Sequence, residues 1–567
     1  MQTVPQKSGA FDFSPRTRLR NLQRMHEEVF DILVIGGGIT GAGIARDAVL
    51  RGFKTALIEK DDFASGTSSK SSKLIHGGFR YLSQFYFGLV HEALMERKTL
   101  MDLAPHLVHP LHCLLPLYKG SVTSPLTIDI GLWLYDLLAF TRNIGRHRMV
   151  KPEELIRMES GYRRQDLLKA AEYFDCKADD FRLVMATMQS AAAHGAVIAN
   201  YVKAVDFSKE ENGPATVIAG DRISGANIPI RARVIANASG PWSDRVHQTL
   251  LKHDDRRLRL TKGVHLLIPH EVLPIKHAFM QFAVQDGRPI FAIPWKNVVL
   301  LGTTDTDYDG DLDQIHTDRS DVDYLLHSFN HYFPEARLSD DKILSAFAGL
   351  RPLVQEENKS ASKVSREHQI FEDPHNFFSI IGGKLTTYRV MAKDMVDMLS
   401  SKLSDAFGVN PANPQCTTHK VPLFGGDLGN YETFRKEWLS RLTTELHFDQ
   451  DIVEHFIENF GSRIPEVLRA VESIPDGKER IHADLPFVWG ELPYTVSQEM
   501  TLGLDDFMIR RSHLFSMDSR QGLDVFQEIA DRMQKMLGWS AEEKRTQIER
   551  YKFKVHLTQH FREKETE

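Results

Sequence analysis

The sequence predicts a multidomain α/β protein with a helical C-terminal part, and three features of the 567-residue chain predict it. A strand, a glycine-rich turn, a helix and a second strand follow one another within residues 31–60. Apolar runs of strand length alternate with turns between residues 196 and 308. After residue 427 the pattern is helical to the end. At roughly 150 residues per domain, the length suits three or four folding units.

Composition excludes several classes of function. The 70 basic and 76 acidic residues give a net charge of −6, so the protein has no overall positive field for nucleic acid. Three cysteines are too few for a disulfide framework or a zinc site, which favours a reducing, cytoplasmic location without a bound metal. No segment has the pattern of an export signal, and none reaches the roughly 18 apolar residues of a membrane span.

The first element is a β-turn-α-β unit. Its turn carries the fingerprint Gly36-x-Gly38-x-x-Gly41, and its second strand ends at Glu59. Gly36 permits the tight turn, Gly38 lets the backbone approach a pyrophosphate, and Gly41 allows close packing of helix and strand. The helix N-terminus favours the pyrophosphate charge, and Glu59 falls where a ribose hydroxyl would lie. The spacing therefore predicts a dinucleotide-binding site.

The next two segments each have two interpretations. Residues 61–82 are rich in Ser and Gly, which suits a loop laid against a cofactor but is also typical of a solvent-exposed loop. Residues 126–140 predict either a buried core helix or, through Trp133, Leu134 and Leu137, an interfacial surface for a membrane. Three basic neighbours of this stretch would meet anionic lipid heads: Arg142, Arg146 and Arg148.

The middle of the chain predicts a mixed sheet that carries most of a substrate domain. Its strand-like runs are residues 196–207, 231–244, 263–269, 288–295 and 297–308. The segment VIANASG ends in Gly240, as expected where the chain passes under a nucleotide a second time. A strand, a double glycine and a helix over residues 377–399 predict a return to the first element.

The predicted domain limits follow from these patterns. They are an N-terminal extension over 1–27, interleaved nucleotide-binding and substrate domains over 28–406, a linker over 407–426 and a helical domain over 427–567. The last helix is expected to start at the capping box Ser540-x-x-Glu543. The acidic turn from Asp305 to His316 resembles part of a calcium loop, but His316 replaces the bidentate carboxylate, so we expect a solvated turn.

Seven segments carry a family resemblance. The segments GGGITGAGIARDA, TSSKSSKLIHGGFRYL, KGVHLLIP, LLGTTDTDY, AFAGLRPL, IIGGKLTTYR and DFMIRRS occur in this order between about residues 28 and 540. Together they resemble the FAD-dependent glycerol-3-phosphate dehydrogenases. The resemblance implies a Rossmann-like FAD domain of the glutathione-reductase type, and oxidation of sn-glycerol 3-phosphate to dihydroxyacetone phosphate. It also implies electron transfer to a quinone at the inner face of the cell membrane, with peripheral attachment. Chain length and the lack of an EF-hand argue against the longer mitochondrial type.

The resemblance, together with the fingerprint, gives a set of expected FAD contacts. These are Gly36, Gly38, Gly41, Glu59, Thr67, Ser68, Ser69, Ser72, Gly240, Gly383, Leu385 and Thr386. A phosphate monoester is nearly a dianion, and burying it requires charge-assisted donors such as arginine. The residues at matching family positions for the substrate are Arg80, Tyr81, Thr303, Arg351, Arg366 and Lys384, with Arg351 also in the catalytic set. For each cation the alternative is a surface ion pair.

Oxidation of a secondary alcohol needs a base for the hydroxyl proton while hydride leaves C2 for flavin N5. His265 and His76 are the candidates, and we favour His265, although a histidine on an apolar strand is more often part of the core. Lys262 would act as a base only with a strongly lowered pKa.

Two other functions stay open. One is an oxidase that passes electrons to dioxygen, and the other is a flavin-binding protein without catalysis. The family's oxidases tend to carry an insertion that this chain lacks, and a scaffold would have lost the cationic set. The oligomeric state is open between a monomer and a homodimer.

Overall fold

The computed structural model describes residues 11–121, 123–209, 213–355 and 367–563. Within them, two β-sheets are flanked by helices, and a set of C-terminal helices packs against the second sheet. The strands are β1 Val29–Ile35, β2 Thr55–Ile58, β3 Leu74–Ile75, β4 Val108–Tyr118, β5 Arg148–Val150, β6 Leu167–Ala178, β7 Val197–Ala199, β8 Val202–Lys209, β9 Ala215–Asp221, β10 Asn227–Asn237, β11 Leu258–Pro269, β12 Ala278–Phe282, β13 Pro289–Trp295, β14 Val298–Gly302, β15 Thr306–Asp307, β16 Ser345–Val354, β17 His368–Asp373 and β18 Phe377–Gly382.

The helices alternate with these strands until β18 and then continue alone. They are α1 Pro15–Glu27, α2 Ile39–Leu50, α3 Phe87–Leu103, α4 Pro125–Ala139, α5 Pro152–Met158, α6 Asp180–Ala193, α7 Ser243–Leu251, α8 Arg319–Tyr332, α9 Tyr388–Phe407, α10 Tyr431–Thr444, α11 Gln450–Phe460, α12 Ile464–Glu472, α13 Glu491–Gln498, α14 Leu514–Met517, α15 Phe526–Leu537 and α16 Ala541–Gln559. This order confirms the predicted fold class.

The first sheet has the strand order β17-β18-β10-β1-β2-β7, extended by β8 and β9. Strand β1 pairs in parallel with β10 and β2, and β10 pairs in parallel with β18. Parallel strands that are covered on both faces have continuous apolar sequences, and β1 is an example because Ile32 to Ile35 are all buried. The carboxyl ends of β1, β2, β10 and β18 therefore meet at one edge, where a nucleotide binds in this kind of sheet.

The second sheet has the order β15-β11-β14-β13-β12-β4-β6-β3, with β16 on β11 and β5 on β6. It is mixed, because β12 pairs in parallel with β4 while its other described pairs are antiparallel. The assignment of residues 196–207 and 231–244 to this sheet was wrong, since they form β7, β8 and β10 of the first sheet. Their register is fixed by pairing with β1 and β2.

Helix α4 has one face in the core and one face exposed to solvent. Each of the two interpretations of residues 126–140, a core helix or an interfacial surface, therefore describes one face. Leu132 and Tyr135 are buried in the core of the second sheet, and Leu134 is half-buried against it. The opposite face is exposed, at Leu126, Ile130, Trp133, Leu137 and Phe140. Leu134 therefore does not belong to the surface on which sequence reasoning placed it, because the helical period of 3.6 residues turns it inward.

A buried ion cluster holds the C-terminal helices against the first sheet. Asp62, in the loop that follows β2, accepts hydrogen bonds from Arg510 Nε at 2.6 Å and Arg511 Nη2 at 3.0 Å. Both arginines lie on the π-helical turn of the DFMIRRS segment. The predicted capping box at Ser540 and Glu543 is present at the start of α16. The domain limits given above, 1–27, 28–406, 407–426 and 427–567, remain predictions from the sequence.

Candidate functional site

The glycine turn after β1 has no room for side chains. Gly36 has a φ of +118°, and a Cβ there would lie 2.5 Å from the Ala238 carbonyl oxygen. A Cβ on Gly41 would lie 1.9 Å from the Gly36 carbonyl oxygen. Only glycine allows strand β1, the end of β10 and helix α2 to approach this closely.

The N-terminus of α2 opens into a first cavity of about 310 Å³. The N-cap residue Gly38 offers no side-chain cap, and Ser68 Oγ accepts a hydrogen bond from the Ile39 N–H at 3.0 Å. The positive end of the helix dipole therefore faces this cavity. Gly240, with a φ of +56°, lies on the opposite wall, where a Cβ would meet nothing within 4 Å.

Glu59 lies at the end of β2 on the floor of the first cavity. Its carboxylate accepts the N–H of Gly37 at 2.6 Å and the N–H of Asp61 at 2.8 Å. Burial, assisted by the charge of Asp61, raises the pKa of Glu59 to about 7. The sequence suggested the position of this acid but not its two main-chain bonds, which hold the carboxylate in place before any ligand arrives.

A second cavity of about 280 Å³ lies against the second sheet and shares part of its wall with the first. The shared residues are Thr67, Pro352, Gly383, Lys384 and Leu385. A single elongated ligand can therefore run from the α2 N-terminus to the second sheet.

Most predicted cofactor residues line one of these cavities. The first is lined by Gly36, Gly38, Glu59, Thr67, Ser68, Gly240, Gly383 and Leu385, and the second also by Ser72 and Thr386. Gly41 lies behind the turn, and Ser69 lines neither cavity. Sequence reasoning missed Lys203, Ala204 and Trp242 of the first cavity, because nothing in their local pattern marks a ligand contact.

The second cavity brings together cations and histidines from distant parts of the chain. Its lining includes Arg80, Tyr81, Thr303, Arg351, Lys384, His76 and His265. Arg366 lies outside the described residues. Arg288 and Asp305 also line the cavity, and sequence reasoning missed both.

Arg351 lies on β16 with its guanidinium held in a fixed orientation. Nη1 contacts Asp305 Oδ1 at 3.1 Å, and Nη2 donates to Thr303 Oγ1 at 2.9 Å and to the Thr304 carbonyl oxygen at 3.1 Å. A Cβ on the neighbouring Gly263 would lie 2.2 Å from Nη2. Gly263 therefore leaves the space that the guanidinium occupies.

Two further cations share one aromatic ring. Arg80 Nη2 donates to the Tyr81 hydroxyl at 3.0 Å, and Lys384 Nζ lies 4.0 Å from the centroid of the Tyr81 ring. Cation–π contact keeps both charges at the cavity wall. Together with Arg351, they give the cavity a strong positive potential suited to a dianion.

Both histidines of the second cavity are neutral at physiological pH. Burial, with the charges of Arg351 and Lys73, lowers the pKa of His265 to about 3. Burial also lowers the pKa of His76 to about 4, against the opposing charge of Asp175. His265 Nε2 lies 2.8 Å from Ser72 Oγ, which orients its ring. Each ring therefore has a lone pair available for a proton.

Lys262 is not a base. Burial lowers its pKa, but hydrogen bonds with Asp318 and Asp321 outweigh that effect and raise the pKa overall. Its ammonium group is therefore held as a cation.

Comparison with known proteins assigns the class. Residues 31–398 match the family model described as FAD dependent oxidoreductase, and residues 416–544 match the C-terminal domain of alpha-glycerophosphate oxidase. The cofactor of this class is FAD. The cavities fit it: the N-terminus of α2, whose N-cap glycine has no side chain, suits the pyrophosphate, and the glycine walls leave room for the nucleotide.

Relatives narrow the class to one family. Aerobic glycerol-3-phosphate dehydrogenases of Staphylococcus aureus are 36% identical over 533 residues, covering 93% of this chain and 94% of theirs. The crystal structure of the Bacillus halodurans glycerol-3-phosphate dehydrogenase with FAD matches with a TM-score of 0.79 and 33% identity, over 96% of this chain and 98% of that one. The chain belongs to the FAD-dependent glycerol-3-phosphate dehydrogenase family.

One more distant structure shares the fold alone. The L-alpha-glycerophosphate oxidase of Mycoplasma pneumoniae matches with a TM-score of 0.52 and 19% identity, over 66% of this chain and 95% of that one.

Proposed function

We propose that this protein oxidises sn-glycerol 3-phosphate to dihydroxyacetone phosphate and passes the electrons to a quinone in the membrane. The substrate assignment rests on the convergence of Arg80, Arg351 and Lys384 in the second cavity, which adjoins the cofactor cavity. Three cations at one small cavity suit a phosphate monoester, whose burial needs several charge-assisted donors.

The proposed chemistry assigns a role to each side chain. The residues that line the first cavity and its shared wall with the second would hold FAD, which would supply the acceptor for the hydride from C2 at flavin N5. Arg351, Arg80 and Lys384 hold the phosphate, which fixes the position of C2. His265 takes the hydroxyl proton as the C2–O bond becomes a carbonyl; its imidazole is unprotonated and can accept a proton, but the pKa of about 3 makes it a weak base. His76 is the alternative base, because it is also neutral and lines the same cavity.

The substrate assignment is tested by comparing glycerol 3-phosphate with glycerol in steady-state turnover. The proposal expects glycerol to be a poor substrate, because it makes none of the phosphate contacts. Equal turnover of the two alcohols would refute the role of the cationic set.

The exposed face of α4 supports a membrane-bound acceptor. Four large apolar side chains at helical spacing form it, Leu126, Ile130, Trp133 and Leu137, and Phe140 directly after the helix extends it, each 60–76% exposed. Phe85 and Phe87 are also exposed and lie at the start of α3, which packs against α4. Exposed apolar patches of this kind mark interaction surfaces, and a helix with such a face can lie in a lipid interface. Within the described residues, every helix falls short of the length or apolarity that crossing a membrane requires.

The patch lies beside the second cavity along the chain. Phe85 follows the 3₁₀ segment Phe79–Gln84, which carries Arg80 and Tyr81. Helix α4 also contacts this segment, because a Cβ on Gly131 would lie 3.3 Å from the ring of Phe79, which lines the second cavity. A lipid-dissolved quinone at this surface would therefore be close to the reduced cofactor. This proximity supports a quinone acceptor, and attachment to the inner face of the cell membrane is the part of the proposal that rests on the family resemblance alone.

Among the three arginines expected to contact lipid, Arg146 is the best candidate, because the other two already have partners in the protein. Arg148 forms ion pairs with Glu154 and Glu172, and Arg142 donates to Thr99 Oγ1. Arg146 is exposed and has no ion pair within the described residues.

Vesicle flotation tests the membrane surface. The variant Trp133→Asp with Leu137→Asp should lose binding to vesicles of phosphatidylglycerol and phosphatidylcholine at low salt and retain FAD. The matched control Leu19→Asp with Ile223→Asp changes two exposed apolar residues outside α4 and should float like the wild type. Wild-type protein that stays at the bottom of the gradient would refute peripheral attachment.

An oxidase is the second candidate, and the match of residues 416–544 to an alpha-glycerophosphate oxidase domain favours it. Hydrogen peroxide measured per glycerol 3-phosphate oxidised separates the two. A dehydrogenase gives far less than one peroxide per turnover when quinone is present, and an oxidase gives one.

A further inference from the structure

A third cavity of about 500 Å³ lies between the C-terminal helices and the loop that follows β2. It is lined on one side by Lys70 of that loop and on the other by Lys554 of α16. Ser69 also lines it, which explains why this serine faces neither of the first two cavities. The proposed reaction does not use this cavity.

Three lysines of this cavity lack a counterion within the described residues, the exposed Lys203 and the half-buried Lys70 and Lys554. Lys70 Nζ and Lys554 Nζ make no hydrogen bond or ion pair within the described residues. Other cations of the lining are paired: Lys60 with Asp313 at 2.5 Å, Arg550 with Asp505 at 2.9 Å, and Arg510 with Asp62 at 2.6 Å. Lys73 pairs with Asp180, and Arg222 pairs with Asp61.

The pKa of Lys70 is consistent with an anion-binding site. Burial and the positive charges of Lys554 and Arg510 lower the pKa of Lys70 to about 8. Two like charges held in one partly desolvated cavity cost free energy, and a bound anion removes that cost.

Thr317 supplies an independent observation. Its side chain is 1% exposed and lines the cavity, yet Thr317 Oγ1 has no hydrogen-bond partner in the described structure. A buried hydroxyl without a partner costs about 1–3 kcal/mol, so such groups are usually satisfied by a ligand or water. Trp242 Nε1 is a second buried donor without a partner in the described structure, but Trp242 lines the first cavity as well as the third, so Thr317 is the group specific to the third.

One side of the wall is apolar, and the three aspartates of the lining, Asp61, Asp313 and Asp505, are each paired with a cation named above. Leu267, Trp295, Leu300 and Phe347 line the side formed by the second sheet. A ligand of this cavity would therefore combine an anionic group with an apolar or aromatic body. Inorganic phosphate alone would leave this wall without contact.

We propose that the third cavity is a second anion site, which binds an organic phosphate monoester through Lys70, Lys554 and Thr317. Lys70 also lines the second cavity, whereas Lys554 and Thr317 line only the third, and the site uses none of Arg80, Arg351 and Lys384. A ligand here would bridge the loop after β2 and helix α16, and so connect the cofactor side of the molecule with the C-terminal helices.

The experiment is isothermal titration of the FAD-loaded full-length protein with phenyl phosphate and with inorganic phosphate, at constant ionic strength. Arg351→Ala serves as the background, because it weakens binding at the second cavity and leaves the third cavity intact. In this background we test Lys554→Met, Lys70→Met and Thr317→Val. Lys552→Met is the matched control, since Lys552 is an exposed lysine on α16 outside the cavity.

The proposal expects one phenyl phosphate site to persist in Arg351→Ala, with at least tenfold weaker binding in each lysine variant and unchanged binding in Lys552→Met. Phenyl phosphate should bind more tightly than inorganic phosphate, because its ring contacts the apolar wall. If Lys70→Met loses FAD, the affinity of Lys554→Met for phenyl phosphate decides the test. Of the three cavities, Lys554 lines only the third. No binding in the Arg351→Ala background, or equal affinity of Lys554→Met and its control, would overturn the second site. Equal affinity for the two phosphates would overturn the organic ligand.

Discussion

Arg351 is the side chain whose loss the structure describes in most detail. Its guanidinium contacts Asp305 at 3.1 Å and Thr303 at 2.9 Å, so its orientation is fixed before substrate arrives. Replacement by alanine removes one charge-assisted contact to the phosphate, which is about 1.5–3 kcal/mol or on the order of ten- to a hundredfold in KM. It also leaves the Asp305 carboxylate to repel the substrate, so we expect the upper end of this range.

A second substitution changes the same contact without changing charge. A Cβ on Gly263 would lie 2.2 Å from Arg351 Nη2, so Gly263→Ala should push the guanidinium away from its place in the cavity. We expect KM for glycerol 3-phosphate to rise in this variant too, by less than in Arg351→Ala, because the displaced cation keeps part of its attraction.

Steady-state kinetics with an artificial electron acceptor measure both effects. Arg259→Ala is the control, since Arg259 pairs with Asp307 at the surface of the same sheet at 2.7 Å and does not line the cavity. Its KM should match the wild type. A KM in Arg351→Ala within twofold of the wild type would refute the phosphate role of this arginine.

Other substitutions test the cofactor turn, the buried ion cluster and the catalytic base. Gly38→Val should lose FAD, measured by the flavin absorbance of the purified protein, because a branched side chain would begin 3.0 Å from Ser68 Oγ and fill the space of the pyrophosphate. Asp62→Asn should lower the free energy of unfolding by about 3–5 kcal/mol in urea titrations, because it leaves Arg510 and Arg511 buried with less compensation. Burial raises the pKa of Asp62, but the two arginines outweigh it and lower the pKa to about 2, so its stabilising contribution is present above about pH 4 and is lost as pH falls towards 2. His265→Asn should lower kcat by about a hundredfold or more, while His76→Asn should lower it by much less, and the reverse order would assign the base to His76.

The parts of the site that follow from local rules could be predicted from the sequence. The turn at Gly36, Gly38 and Gly41 depends on backbone space within a few residues, and the acid at Glu59 follows at fixed spacing. The cavity cations were found only through the family segments, because their convergence depends on long-range pairing of β11, β14 and β16.

The rest needed three-dimensional packing. Nothing local marks Asp305 as the partner of Arg351, which lies 46 residues further along the chain. The same holds for helix α4, where the direction of Leu134 depends on which face meets the second sheet. The strands over 196–207 were placed in the wrong sheet because their apolar pattern fits either one.

The most direct test of the central claim is anaerobic titration of the FAD-loaded protein with sn-glycerol 3-phosphate while the flavin absorbance is recorded. The account predicts bleaching by the phosphate ester, no comparable bleaching by the same concentration of glycerol, and recovery of the colour when a quinone is added. Flavin that stays oxidised with glycerol 3-phosphate, or that is bleached equally by glycerol, would contradict the account.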